Sequence, residues 1–169
     1  MLGCGGTAVT LNGAALAGES VWNAGFTGTG GGISDVFPVP AFQEHIAMPV
    51  SVNDGAMRRG VPDVAAAAAR QPGYRIILNG QPMAKDGTSA ATPLWAGLIA
   101  IANAERGNPI GLINPSLYAN PALCRVVTQG NNRINGTGYD AGPGWSACTG
   151  LGVPKGQQIV SALAALPVA

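Results

Sequence analysis

Charge is scarce in this chain. Of 169 residues only 10% are Asp, Glu, Lys or Arg, and nine cations against eight anions leave a net charge of +1. Soluble domains usually carry about a quarter of their residues as charges. A protein that grips nucleic acid by its phosphates needs a basic patch or stripe, and this balance supplies none, so a nucleic-acid partner is excluded. No apolar run is long enough to cross a membrane. The start, Met1-Leu2-Gly3-Cys4, lacks the charged-then-apolar order of a signal peptide, and Met1 need not be a natural beginning. There is one histidine, which leaves little scope for histidine-based catalysis, and there are three cysteines, which cannot all pair internally. Cys124 and Cys148 flank one glycine-rich segment and can join; the other reading is that Cys4, Cys124 and Cys148 are small buried thiols.

The rest of the composition is that of a folded domain. Hydrophobic residues make up 47%, far from the apolar-poor composition of disordered chains. The length suits one domain with a real core, and no repeat or linker divides residues 1–169. The 26 glycines and 13 prolines predict many tight turns rather than long helices. Residues 1–40 read as short strands between glycine turns, followed by a helical turn between Pro40 and Ile46. Tyr74–Leu78 has strand composition, and Asn79-Gly80 predicts a hairpin into Gln81-Pro82-Met83. Pro82 puts that second arm at a sheet edge. One long helix is expected from near Ser89 to Arg106, stopped by Gly107, with Leu94, Leu98 and Ile101 sharing a face. Pro93 is tolerated there if it falls among the first-turn amides. Asn114-Pro115 reads as a cap and first helical residue. A last helix over about 156–165 presents Ile159, Leu163 and Leu166.

The chemistry concentrates in Gly87-Thr88-Ser89-Ala90-Ala91-Thr92-Pro93. A serine at the start of a helix, just after a glycine turn, sits where free amides and the helix dipole stabilise negative charge. A serine that attacks a carbonyl needs that setting for its oxyanion. Local physics equally allows Ser89 to be a helix cap.

The Gly-Thr-Ser-Ala stretch with proline four residues on resembles the nucleophile motif of the subtilisin-like superfamily. Within it the chain resembles the sedolisin (serine-carboxyl peptidase) family. The resemblance rests on Cys4-Gly5-Gly6-Thr7, Glu19-Ser20-Val21-Trp22-Asn23, Gly30-Gly31-Gly32, Phe37-Pro38 and Arg59-Gly60-Val61-Pro62-Asp63-Val64. It continues through Leu112-Ile113-Asn114-Pro115, Gly130-Asn131-Asn132 and Ala141-Gly142-Pro143-Gly144-Trp145 to Cys148-Thr149-Gly150-Leu151-Gly152. It implies an α/β fold, specifically the C-terminal half of a three-layer subtilisin-like parallel sheet, and a secreted, acid-active endopeptidase. It also implies that Ser89 is the nucleophile. The glutamate, its supporting aspartate and the protonated oxyanion-donating aspartate of that family precede the point matching Met1.

Of the acids present, Asp63 takes a structural place in the motif. Asp86 is a departure, because the family has glycine or serine three residues before the nucleophile. It is read as a cap or a plainly exposed residue, and an ionised carboxylate there opposes an oxyanion. His45 is read as a surface residue and Asn23 as a structural turn residue. The resemblance further implies a calcium site built from two aspartates and neighbouring carbonyls. Val126 and Ser146 stand at the aspartate positions, leaving only carbonyls at Val127, Gly142 and Gly144, so the metal site is read as lost and no cofactor is expected. Three readings remain: a partial peptidase domain inactive alone, half of a split peptidase completed by a partner chain, and a non-catalytic binding module. A peptide or protein substrate belongs to the first two. A cut face and an open sheet edge would also make the chain a homo-oligomer.

Overall fold

The computed structural model describes residues 1–167. Its largest sheet has three strands in the order β2-β1-β5, with β1 at Cys4–Asn12, β2 at Ala15–Val21 and β5 at Val64–Ala67. β1 runs parallel to β5, Cys4 facing Val64 and Thr7 facing Ala67, and antiparallel to β2. The sheet is therefore mixed, not the all-parallel one expected. The antiparallel arm is a long hairpin that turns at Gly13, whose φ of 62° lies in the left-handed region. Glycine at that first turn position suits a two-residue hairpin, so Gly13-Ala14 carried a turn signal that the reading of residues 1–40 as short strands passed over.

Four short strands form two small ribbons, β3 (Gly32–Ile33) with β4 (Gly60–Val61), and β8 (Cys124–Arg125) with β9 (Val153–Pro154). The predicted hairpin is present as β6 (Tyr74–Leu78) and β7 (Gln81–Lys85). Asn79 and Gly80 both have positive φ, the mirror-image turn that matches strand twist. Pro82 lies on β7 in this two-stranded ribbon, where neither strand is central. The expected helical turn is a single 3-10 turn at Ala41–Gln43.

Helix α1 spans Thr88–Arg106 and ends at Gly107 in the left-handed conformation. Its buried residues are Ala91, Trp95 and Ala102, with Leu98 and Ile99 half-buried. Leu94 and Ile101, expected to share a packed face with Leu98, are 36% and 51% exposed. Trp95 decides the orientation: its side chain is 1% exposed and its Nε1 donates to the Ala65 carbonyl of β5 at 3.0 Å. A buried indole must find an acceptor, and swinging it to β5 turns Leu94 outward. Pro93 is the sixth helical residue, beyond the free first-turn amides. It therefore does remove a hydrogen bond, the one that would reach the Ser89 carbonyl.

Helix α2 (Asn114–Ala119) starts one residue earlier than Asn114 as a cap would require. Ile113 is the cap residue, and the Leu117 amide donates to its carbonyl. Asn114 is fully buried, and its side-chain oxygen and nitrogen have no hydrogen-bond partner among the described residues. Helix α3 (Gly156–Ala164) packs on α1 and buries Ile159 and Leu163, as its apolar spacing predicts, and Val160 besides; Leu166, expected on the same face, lies beyond the helix end and is half-buried.

The core is held together by a polar network around Asp63, which is fully buried. Its carboxylate accepts from both the Arg59 guanidinium and Tyr118 Oη, and from the Gly3 amide at 2.7 Å. Tyr118 Oη in turn accepts from Gln43 Nε2 at 2.6 Å and Trp145 Nε1 at 3.1 Å. Burial first, and the Asp63 charge second, push the Tyr118 phenol well above its usual range, so it stays a donor. Asp63 is thus structural, as read from the sequence. Close behind it, a Cβ on Gly150 would lie 2.2 Å from the Asp63 carbonyl, so only glycine fits this approach.

The three cysteines are unpaired, which removes the Cys124–Cys148 bridge from consideration. Cys124 and Cys148 are buried, whereas Cys4 is half-buried. Burial raises the Cys124 thiol to about 12 and Cys148 to about 11. At pH 8 both are neutral thiols, and the thiolate is the reactive form. Iodoacetamide is therefore expected to spare Cys124 and Cys148 in the native protein and to label all three cysteines in denaturant. Mass spectrometry showing rapid native labelling of Cys124 would contradict this packing. The same shift lowers stability from about pH 9 upward, because unfolded thiols ionise there and the folded ones do not.

Candidate active-site groove

Ser89 is the second residue of α1 and is exposed. Gly87 is the cap residue, with φ 121° and ψ 152°, and no side chain caps the helix. Both capping readings therefore fall away: Ser89 lies inside the helix, and Asp86 makes no cap bond. The Gly87 amide donates to the Ala68 carbonyl at 2.8 Å, which fixes the helix start to the end of β5. A positive φ of this size is readily adopted only by glycine, so Gly87 is what lets the chain turn from β7 into α1 and present Ser89.

The hydroxyl faces a groove of about 450 Å³ between α1 and the β6–β7 ribbon, where Tyr74, Ile76, Lys85, Asp86 and Pro93 form the walls. Ser89 makes no side-chain hydrogen bond among the described residues. Among the described residues no carboxylate or imidazole hydrogen-bonds to it. Glu19, a buried carboxylate, is engaged by the Thr7 hydroxyl and the Arg125 guanidinium. Asp35 accepts from Asn53, Asp54 from Arg58, and Asp140 from Arg133. The Arg58 guanidinium holds Asp54 down at about 2, and Arg133 likewise lowers Asp140. Asp86 is the acid that lines the groove, exposed and without a hydrogen bond to orient it.

His45 is exposed, at the rim between two shallow hollows lined by Phe42, Ile46 and Trp145. Asn23 is a turn residue: its Oδ1 accepts from the Gly25 amide at 3.0 Å, and its Nδ2 donates to the Arg133 carbonyl at 3.0 Å. Both agree with the sequence reading.

The residues at the implied calcium positions do not fit a calcium ion. Val126 offers methyl groups, 37% exposed, beside Pro143, Gly144, Trp145 and Leu151 in a small apolar hollow. Ser146 is buried, and its hydroxyl is held by Thr149 Oγ1 at 3.1 Å and by the Thr149 amide. Val127 is buried, while Gly142 is half-buried. Among the described residues no group of three His, Cys, Asp or Glu side chains gathers anywhere. A hard dication needs several oxygens, with carboxylates among them.

A serine near the start of the longest helix, beside a mixed sheet, is an arrangement shared by several serine hydrolase folds, and the comparisons with known proteins select the subtilisin-like one. No protein-family model matches the chain. Kumamolisin of Bacillus sp. (strain MN-32) is 44% identical over 96% of this chain, and tripeptidyl-peptidase SED1 of Arthroderma otae is 36% identical over 89%. The structure of Pseudomonas sedolisin, a serine-carboxyl proteinase complexed with two molecules of pseudo-iodotyrostatin, superposes on 95% of this chain with a TM-score of 0.81 and 32% identity. The chain is a homologue of these sedolisin-type serine peptidases. It spans 31% and 27% of the two curated relatives and 45% of the sedolisin chain.

Proposed function

We propose that this chain is the C-terminal part of a sedolisin-type catalytic domain within a larger three-layer fold, and that it holds the nucleophile Ser89 but is inactive by itself. The placement of Ser89 carries the reading. A serine homologous in motif to a peptidase nucleophile lies exposed at a helix start, over a groove wide enough for a peptide side chain. Its reaction class is acyl transfer: the hydroxyl would attack a peptide carbonyl, and the amides of the first helical turn would face the oxyanion. The general base is the missing part, and the substrate class is a peptide or protein chain met outside the cell. An acid peptidase assay of the chain beside its Ser89→Ala variant tests this directly.

The same reading includes loss of the metal. Titration calorimetry with calcium is expected to give no heat, and chelator to leave the melting temperature unchanged. A micromolar calcium affinity that Ser146→Ala abolishes would overturn it.

A further inference from the structure

The cations that lack a partner gather at one place. The chain has nine Lys and Arg residues. Arg58, Arg59, Arg125 and Arg133 are in ion pairs. Arg106 donates to the Leu166 and Pro109 carbonyls, and Lys155 to the Ala122 carbonyl. Arg70, Arg75 and Lys85 remain, and none of them has a hydrogen-bond or ion-pair partner among the described residues. All three lie on the β6–β7 ribbon or just before it, and the one anion between Ala68 and Ala90 is Asp86.

Strand register decides which of the three reaches the groove. Lys85 is paired with Tyr74 across the ribbon, and residues directly opposite each other share a face. Ile76, two residues along, shares it too. Tyr74, Ile76 and Lys85 are accordingly the ribbon residues that wall the groove beside Ser89. Arg75 alternates to the other face.

Asp86 also lines the groove, and its charge opposes that of Lys85. Its place in the chain weakens the opposition. It directly precedes Gly87, the cap residue of α1, so the free amides and positive dipole end of that helix offset it. Lys85 has no comparable offset, and Arg70 and Arg75 carry its own sign.

We infer that Lys85 is a specificity-determining residue of this groove, and that it selects peptides placing a carboxylate side chain, Asp or Glu, beside Ser89. The other walls, Tyr74, Ile76, Ala90 and Pro93, give the methylene stem of such a side chain apolar contact. A Lys or Arg side chain in the same place meets like charge, which is discrimination by repulsion as well as by attraction. The inference rests on the reading of the groove as the place where a peptide meets Ser89, and it adds the chemical class of that peptide.

Peptide binding to the purified chain tests it, followed by amide shifts in two-dimensional nuclear magnetic resonance spectra at pH 7 and low salt. The probes are capped alanine peptides with Glu, Gln or Lys at the centre. The Glu peptide is expected to shift the amides of Ser89 and Lys85 and to bind about 2- to 5-fold more tightly than the Gln peptide, the range of an exposed charge pair. The Lys peptide is expected to bind more weakly than both. Lys85→Gln should erase the difference between the Glu and Gln peptides, Asp86→Asn should widen it, and added salt should shrink it. Equal affinity for the Glu and Gln peptides overturns the inference and leaves the Ser89 reading intact. So does a preference that survives Lys85→Gln, or one that vanishes when a polypeptide carrying the missing acids is added and takes up the Lys85 charge. If none of the three peptides moves the groove amides, the inference falls together with the groove as a peptide site, while the peptidase assay still judges Ser89.

Discussion

Incubated with peptide substrates between pH 3 and pH 8, the purified chain is expected to show no turnover, and Ser89→Ala is expected to change nothing. An unactivated hydroxyl is a weak nucleophile. Among the described residues Ser89 has no side-chain partner, and the buried carboxylate Glu19 is committed to Thr7 and Arg125. Removing a nucleophile's base costs ~10⁴- to 10⁶-fold in rate, and each missing oxyanion donor a further ~100-fold or more. Together these place any remaining rate below detection. Asp86 does not repair the loss, because among the described residues no hydrogen bond aims it at Ser89. Turnover that disappears with Ser89→Ala would overturn the reading and point to Asp86 or a neighbouring subunit as the base. Turnover that appears only when a polypeptide carrying the missing acids is added would establish a split enzyme.

Asp63→Ala is expected to be the most damaging single substitution outside the apolar core. It leaves the Arg59 guanidinium 15% exposed without its partner and strips acceptors from Tyr118 Oη and the Gly3 amide. Breaking a buried pair by removing one partner costs about 3–5 kcal/mol, which for a domain of this size is a fall of about 6–20 °C in melting temperature. Asp63→Asn keeps the shape and part of the hydrogen bonding and should lose less. Asp140→Ala, whose partner Arg133 lies in solvent, is the control and should leave the melting temperature where it was. Thermal melts followed by circular dichroism separate the three. Equal melting temperatures for Asp63→Ala and the wild type would show that the network contributes nothing.

Features encoded in a few adjacent residues were legible. Asn79-Gly80 specified its hairpin, Gly107 ended α1, and the spacing of Ile159 and Leu163 named the buried side of α3. Features decided by distant partners were not. The buried face of α1 follows from where Trp95 finds the Ala65 carbonyl, 30 residues away, and periodicity alone chose Leu94 and Ile101 instead. Asn114-Pro115 has the residue types of a helix start, yet packing draws Asn114 inside and leaves Ile113 to cap. Gly13-Ala14 was readable and was missed, because the glycine content around it masked the alternation of β1 and β2. At the site, the position of Ser89 was visible in the motif. The groove was not, since its far wall comes from the β6–β7 ribbon, whose approach to α1 is set by the Gly87 turn.

The pairing of β1 with β5 bears on how the chain finds this structure. Cys4 to Thr7 must meet Val64 to Ala67, and the Asp63 carbonyl must then receive the Leu151 amide at 2.8 Å. Loops of about 60 and about 90 residues close before either contact contributes, and loop closure comes at an entropic cost that local hairpins do not meet. The strands joined by short turns, β1–β2 and β6–β7, can form early, but neither buries enough to persist alone. Folding speed is therefore set by the ends meeting through the middle, and refolding from denaturant belongs among the slower, non-local folders. During that interval the apolar residues of α1 and the strand β5, not yet bonded to β1 or to Gly152, are both open to other chains, so refolding yield should fall as protein concentration rises.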